Sequence, residues 1–172
     1  MLLGLLEYGP RSGYDLRKIL TETPLRHFSD SPGAIYPALR RLAARKWVET
    51  SAPDGARGRQ EFRLRPAGRQ ALVDWLLAPV TREDVVHRSG ELLLRCAFMD
   101  LARQPAAIRR FLADYASEMA AYVDVLRQYD AEHGARMSPI GRLVFQHGLA
   151  THEASAAWAR RAIKTLRKGG KP

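Results

Sequence analysis

This chain has one cysteine, no long apolar run and no acidic residue after Glu153, and each shortage excludes something. A single thiol, Cys96, cannot form an internal disulfide, and its apolar surroundings from Leu92 to Met99 make it core packing rather than a redox centre. The N-terminal apolar stretch, Met1 to Leu6, lacks a basic flank and runs into Gly9-Pro10, so it reads neither as a signal peptide nor as a membrane span. The chain is therefore expected in the cytoplasm, with no membrane partner. His27, His87, His133, His147 and His152 are scattered, and the closest pair is five residues apart, which is about 140° around a helix and not one face. No paired His/Cys spacing, glycine-rich phosphate loop or nucleophile motif occurs, so no catalytic residue, metal or cofactor is expected, and the chain does not read as an enzyme.

What the chain does have is positive charge, +10 over 172 residues. With 46% apolar and 27% charged residues it is an ordinary globular composition, long enough for one domain and an appendage, so the charge points to a polyanionic partner rather than to disorder. Residues 1–79 hold 13 lysines and arginines against 8 carboxylates; residues 80–172 hold 15 against 10. Arg160, Arg161, Lys164, Arg167, Lys168 and Lys171 account for the second excess, because residues 80–159 sum to −1. The plain reading of this tail is a solvated helix end whose cations suit the negative pole of the macrodipole.

The segment Ser31 to Leu42, SPGAIYPALRRL, reads as a helix with Ser31 as N-cap and Pro32 at its first position. Ile35, Ala38, Leu39 and Leu42 recur at helical spacing as a buried stripe. The opposite face carries Gly33, Tyr36, Pro37, Arg40, Arg41 and Ala44, where small residues permit close approach and the arginines and tyrosine reach phosphates or base edges. Pro37 reads as lying inside the helix, where proline costs ~3 kcal/mol, so stability alone would not select it.

Around this helix the order is helix (Leu2 to Leu6), break (Glu7 to Pro10), helix (Gly13 to about Glu22), the candidate reader, then a hairpin of Trp47 to Thr50 with Glu61 to Leu64. That order is a winged helix-turn-helix, with Ala52 to Arg59 as wing and Arg57 and Arg59 at its tip. Such modules lay the second helix of the pair in the major groove. The expected DNA-binding set is Tyr14, Ser31, Gly33, Tyr36, Pro37, Arg40, Arg41, Arg57 and Arg59.

Three pieces, LGLLEYGPRSGYDLRKIL, SPGAIYPALRRLAARKWVE and GRQEFRLRPAGRQAL, together resemble the PadR family of bacterial transcriptional regulators in order and spacing, from Leu2 to about Leu77. The resemblance implies a homodimeric repressor, released from its operator by a small aromatic or drug-like molecule, without catalytic activity. Two departures stand out. The first helix looks trimmed relative to the family pattern, and Arg65 replaces the usual threonine before Pro66-Ala67-Gly68, removing the expected N-cap hydroxyl.

Farther on, Ile108, Leu112, Tyr115, Met119, Tyr122, Leu126 and Tyr129 follow each other at spacings of 4, 3, 4, 3, 4 and 3, an unbroken heptad seam. After a break at Gly134 to Pro139, a second long helix to about Lys168 presents Ile140, Val144, His147, Thr151, Ala154, Trp158 and Ala162 on one face. The seam can be closed by this helix folding back, by a second subunit, or by both. A two-fold operator needs two reading heads, so the expected dimer interface is Ile108, Leu112, Tyr115, Met119, Tyr122, Leu126 and Trp158. The fold expected is mainly α: a winged helix-turn-helix with a two-stranded wing over 1–79, a hinge over 80–90, and a long-helix dimerisation domain over 91–172.

Trp75, Tyr115, Tyr122 and Trp158 are candidates for stacking an aromatic effector near a domain or subunit junction; as a bland alternative they simply fill core and helix interface. Two function classes follow. The leading one is a repressor binding a double-stranded inverted-repeat operator; the alternative is a ligand-sensing or protein-interaction dimer whose winged helix does not read DNA. Arg40, Arg41, Arg57 and Arg59 favour the first, since only phosphate binding requires them together.

Overall fold

A computed structural model describes residues 1–28, 32–51 and 60–169, and packing divides the chain into two units, residues 1–78 with 93–103 and residues 79–92 with 104–172. In the first unit, α1 (Leu2–Glu7) stops ahead of Pro10, and a two-residue strand, β1 (Arg11–Ser12), leads into α2 (Gly13–Glu22). Ser12 closes a capping box: its Oγ accepts from the Asp15 amide at 3.1 Å, and the Asp15 carboxylate accepts from the Ser12 amide at 3.2 Å. Two otherwise orphaned helix donors are thereby satisfied.

A 3-10 turn at Pro32–Ala34 precedes α3 (Ile35–Ala44), so this helix begins three residues later than the Pro32 start that the sequence suggests. Ser31, the expected N-cap, and Arg57 and Arg59, the expected wing tip, lie outside the described residues. The later start changes the meaning of Pro37. It sits in the first turn of α3, where amides have no partner within the helix, so proline removes little there instead of breaking a helix interior. At the far end, the Trp47 amide donates to the Leu42 carbonyl at 3.0 Å and the Lys46 amide to that of Ala43 at 2.9 Å, with Lys46 at φ 57°. This left-handed stop turns the chain into β2 (Val48–Thr50).

β2 pairs antiparallel with β3 (Glu61–Leu64) in the register Val48↔Leu64 and Thr50↔Phe62. β1 adds to the other edge of β3, giving a three-stranded sheet of order β1-β3-β2 where the sequence suggests two strands. α4 (Pro66–Leu77) then packs close: a Cβ on Gly68 would collide with the Trp47 carbonyl oxygen. Leu16, Leu20, Leu39 and Leu76 are fully buried, each stabilising by roughly 1.5–3 kcal/mol relative to exposure. Arg65 stands at the N-cap of α4 in extended conformation with no side-chain cap bond. Arg65→Thr supplies the hydroxyl and should raise stability by ~1 kcal/mol, read as a shift of the urea midpoint; an unmoved midpoint would mean water already satisfies that turn.

Residues 80–90, expected as a hinge, contain a short helix. Thr81 and Asp84 form a second capping box, with bonds of 2.9 and 3.2 Å, that starts α5 (Arg82–His87). Val85 is fully buried, α5 packs on α7, and Arg82 holds Glu118 at 3.0 Å. The polarity that suggested a linker is the solvent face of a short helix. Residues 93–103, comprising the latter part of α6 (Ser89–Ala97) and a 3-10 turn at Met99–Ala102, belong with the first unit rather than with 91–172. There the Phe98 ring lies on Gly4, and the nearly buried Glu7 side chain accepts from Arg69 Nε at 2.9 Å.

The second unit is dominated by an antiparallel hairpin of α7 (Pro105–His133) and α8 (Pro139–Gly169). Ser138 caps α8, its Oγ accepting from the Gly141 amide at 3.1 Å. The rungs are Tyr129 against Phe145 with ring centroids 5.6 Å apart, Tyr122 edge-on to His152 at 5.1 Å, and Tyr115 edge-on to Trp158 at 6.0 Å. Arg127 bridges to Glu153 at 2.7 Å. The heptad seam expected at a subunit interface is thus closed by α8 of the same chain: Leu112, Tyr115 and Met119 are buried, Ile108, Tyr122 and Leu126 half-buried, and Trp158 lies at the edge. The face of α8 also differs from expectation. His152, Ala156 and Ala159 turn inward, whereas Ile140, Val144, His147, Thr151 and Ala154 are exposed, because small residues let the helices approach more closely than large aliphatics would.

Candidate nucleic-acid interface

The helix pair α2–α3 sets the candidate surface. Ile35 and Leu39 anchor α3 inward, with Ala38 and Leu42 half-buried beside them, and the rotation this imposes leaves Gly33, Tyr36, Arg40, Arg41 and Ala44 outward. Pro37 is half-buried. Among the described residues neither Arg40 nor Arg41 is in an ion pair, so both guanidinium groups keep their full donor set for an incoming phosphate or guanine edge.

Tyr36 is 46% exposed, yet its ring has a defined seat. A Cβ on Gly13 would come within 2.5 Å of the Tyr36 Cε1, so the ring lies directly over the first residue of α2. Tyr14, 50% exposed, follows Gly13 on that helix, and Arg17 stands exposed one turn later on the same side. The structure therefore gathers Tyr14, Tyr36, Arg40 and Arg41 on the helix pair. Sequence reading missed Gly13 as the seat of Tyr36 and Arg17 as a further exposed cation. The signal for the former was a glycine directly after an N-cap serine, where helix propensity alone disfavours it. Gly13→Ala should displace Tyr36 and weaken DNA binding more than stability; an operator titration set beside a urea melt checks this, and equal loss in both would make Gly13 a packing residue only.

The wing itself, residues 52–59, lies outside the described residues, but its root is defined. The Ser51 amide donates to the Glu61 carbonyl at 3.0 Å and the Glu61 amide to Ser51 Oγ at 3.1 Å, and Glu49 faces Arg63 across the strands. Beside the root, the Arg45 guanidinium lies 5.0 Å from the Trp47 ring centroid, which engages this cation with the protein rather than with a ligand.

The aromatic residues expected to bind an effector are not brought together as a set. Trp75 is half-buried on α4 in the first unit. In the second, Tyr115 is buried with its edge contact to Trp158, Tyr122 meets His152, and Trp158 is 37% exposed. Tyr115 thus offers no open face, and Trp158 is the reachable ring. Burial pushes the Cys96 thiol above its ordinary value and Asp100 adds to the effect, which keeps it protonated, as a packing residue requires. Among the described residues no group of three histidine, cysteine or acidic side chains could hold a metal ion, and no helix is long and apolar enough to cross a membrane.

Comparison with known proteins gives matches in both halves of the chain. Residues 2–74 match the model of the transcriptional regulator PadR-like family, and residues 90–167 match a second model, virulence activator alpha C-term. A curated relative, the negative transcriptional regulator PadR of Bacillus subtilis (strain 168), is 29% identical over 109 residues, covering 62% of this chain and 59% of the relative. The match thus spans less than two thirds of that relative. Among solved structures, the PadR-like regulator BC1756 of Bacillus cereus aligns over 98% of this chain and 96% of its own, at 22% identity and a TM-score of 0.44. Bacillus subtilis PadR in complex with operator DNA aligns over 95% and 94%, at 22% identity and a TM-score of 0.44.

Proposed function

We propose, on the premise that this chain belongs to the PadR-like family of transcriptional regulators, that it is a homodimeric repressor that binds an inverted-repeat operator in the cytoplasm. The observation that carries the reading is the outward face of α3, where Tyr36, Arg40 and Arg41 stand exposed on the second helix of a helix-turn-helix, both arginines without a counter-ion among the described residues. The repressing sense follows the negative regulator to which the chain is 29% identical.

In this mechanism phosphate contacts position the head, and α3 reads base edges in the major groove. Arg40→Ala should cost ~1–3 kcal/mol on the specific site and clearly less on random duplex, measured by titration at fixed salt. Equal loss on both sequences would make Arg40 a phosphate contact, and no loss would remove it from the reading set.

Dimerisation requires an apolar surface that the hairpin does not already cover. Ile140, Leu143 and Val144 on α8 supply it, at 70%, 61% and 67% exposure. They replace Leu112, Tyr115 and Met119 as the residues assigned to the subunit contact. A second copy meeting this face would give the isologous pair that a two-fold operator needs.

Release by a small planar aromatic molecule completes the proposal, with Trp158 as the ring it stacks on. Such a ligand acts only through different affinity for two arrangements of the heads; a preference of about 1–3 kcal/mol lowers operator affinity roughly 5–150-fold. Phenolic acids that quench the fluorescence of the Trp75→Phe protein, but not that of a Trp75→Phe/Trp158→Phe protein, should also release the operator. Quenching without release would uncouple this ring from DNA binding.

A further inference from the structure

We propose that the open end of the α7–α8 hairpin is a second binding surface for the phosphate backbone of duplex DNA, a reading that rests on the DNA-binding role proposed above. Sequence alone separates the two cationic segments by some fifty residues. The antiparallel hairpin joins them. Its rungs run Tyr129–Phe145, Tyr122–His152 and Tyr115–Trp158, and continuing that register by less than two turns sets Arg109 and Arg110 of α7 level with Lys164 of α8 and about one turn beyond Arg160 and Arg161.

All five side chains are exposed, and among the described residues none is in an ion pair. The sequence offers little to neutralise them: residues 101–113 and the chain beyond Glu153 contain no carboxylate. Glu118 and Glu153, farther along the helices, are engaged by Arg82 and Arg127 at 3.0 and 2.7 Å. Asp114 alone stands close by, half-buried, and leaves a surplus of four charges among the described residues. The helix macrodipole explains part of this arrangement and not the rest. Cations near the C-terminus of α8 are favoured by its negative pole, but Arg109 and Arg110 stand near the positive N-terminal end of α7, where cations gain nothing.

The chemistry of the patch selects among polyanions. Four of its five members are arginines, whose planar forks bind phosphate oxygens in pairs. A membrane surface would need a broad apolar flank to insert, and beside this patch Ala156 and Ala159 are buried while Trp158 and Leu166 are only 37% and 43% exposed. Duplex DNA needs no such flank, and is already the polyanion held by the reading heads. The apolar residues Ile140, Leu143 and Val144 lie at the opposite end of α8, so contact with a second copy there leaves the cationic end open.

The full-length protein, the triple variant R160Q/R161Q/K164Q and the double variant R109Q/R110Q should be titrated with a random-sequence duplex across a range of salt, with R40A as reference. Both neutralised proteins should bind the random duplex more weakly, with the salt slope smaller by roughly 0.9 for each phosphate that is no longer neutralised. Their helix content and sedimentation should match those of the unaltered protein, since the substituted side chains are exposed. Unchanged random-duplex affinity and slope in both, while R40A still weakens the operator, would overturn the second surface and leave the reading of α3 intact. So would a loss confined to anionic phosphatidylserine vesicles, which would make the patch a lipid contact. An unaltered protein that bound no duplex of any sequence would overturn both readings.

Discussion

Replacing Leu143 and Val144 together by aspartate should leave a folded monomer that holds its operator roughly 10²–10⁴-fold more weakly, the factor that disappears when two linked heads become independent. Three large aliphatic residues within five positions of α8 are exposed, although the small residues of the same helix are buried against α7. Contiguous apolar exposure of that kind marks a contact surface. Aspartates there would meet their own copies across the two-fold axis, adding charge repulsion to the missing apolar burial. Sedimentation reports the assembly state and titration the affinity. A double variant that remained dimeric at micromolar concentration with full operator affinity would place the interface elsewhere.

Met119→Ala should cost ~2–5 kcal/mol, a large fraction of the ~5–15 kcal/mol that holds a typical protein folded. Met119 is fully buried at the middle of the α7 seam, one turn from Tyr115 and Tyr122, so truncation leaves a cavity that the paired rings on either side keep from collapsing. Met119→Arg should unfold the hairpin rather than merely separate subunits, because the charge would have no exit to solvent. Urea unfolding followed by far-UV circular dichroism measures the first effect. A loss below ~1 kcal/mol would mean that α8 does not close the seam in solution.

These expectations differ from the ones that periodicity alone supports, and the reason is physical. A heptad repeat establishes that α7 has a seam, but it carries no information on whether the covering helix belongs to the same chain. On α8 the eye follows Ile140 and Val144, the most apolar residues, whereas Ala156 and Ala159 determine the packing face because close approach needs small side chains. Capping boxes at Ser12 with Asp15 and at Thr81 with Asp84 start α2 and α5; both lie in the local sequence but sequence reading missed them, the second because the overall polarity of 80–90 masked it. β1 is two residues long and exists only because Arg11 and Ser12 meet Phe62 and Glu61, a pairing with no local trace. The seat of Tyr36 on Gly13 is likewise a contact between two helices, visible once their packing is known.

The central claim, that α3 reads an operator, is tested most directly by a footprint on the DNA flanking the gene that encodes this chain, made with the unaltered protein and with Arg40→Ala at one salt concentration. The account predicts two protected half-sites in inverted repeat, with centres ~34–36 Å apart or a multiple of that, and their loss with Arg40→Ala. Protection that is absent from the unaltered protein, or equally strong on random sequence, would contradict it.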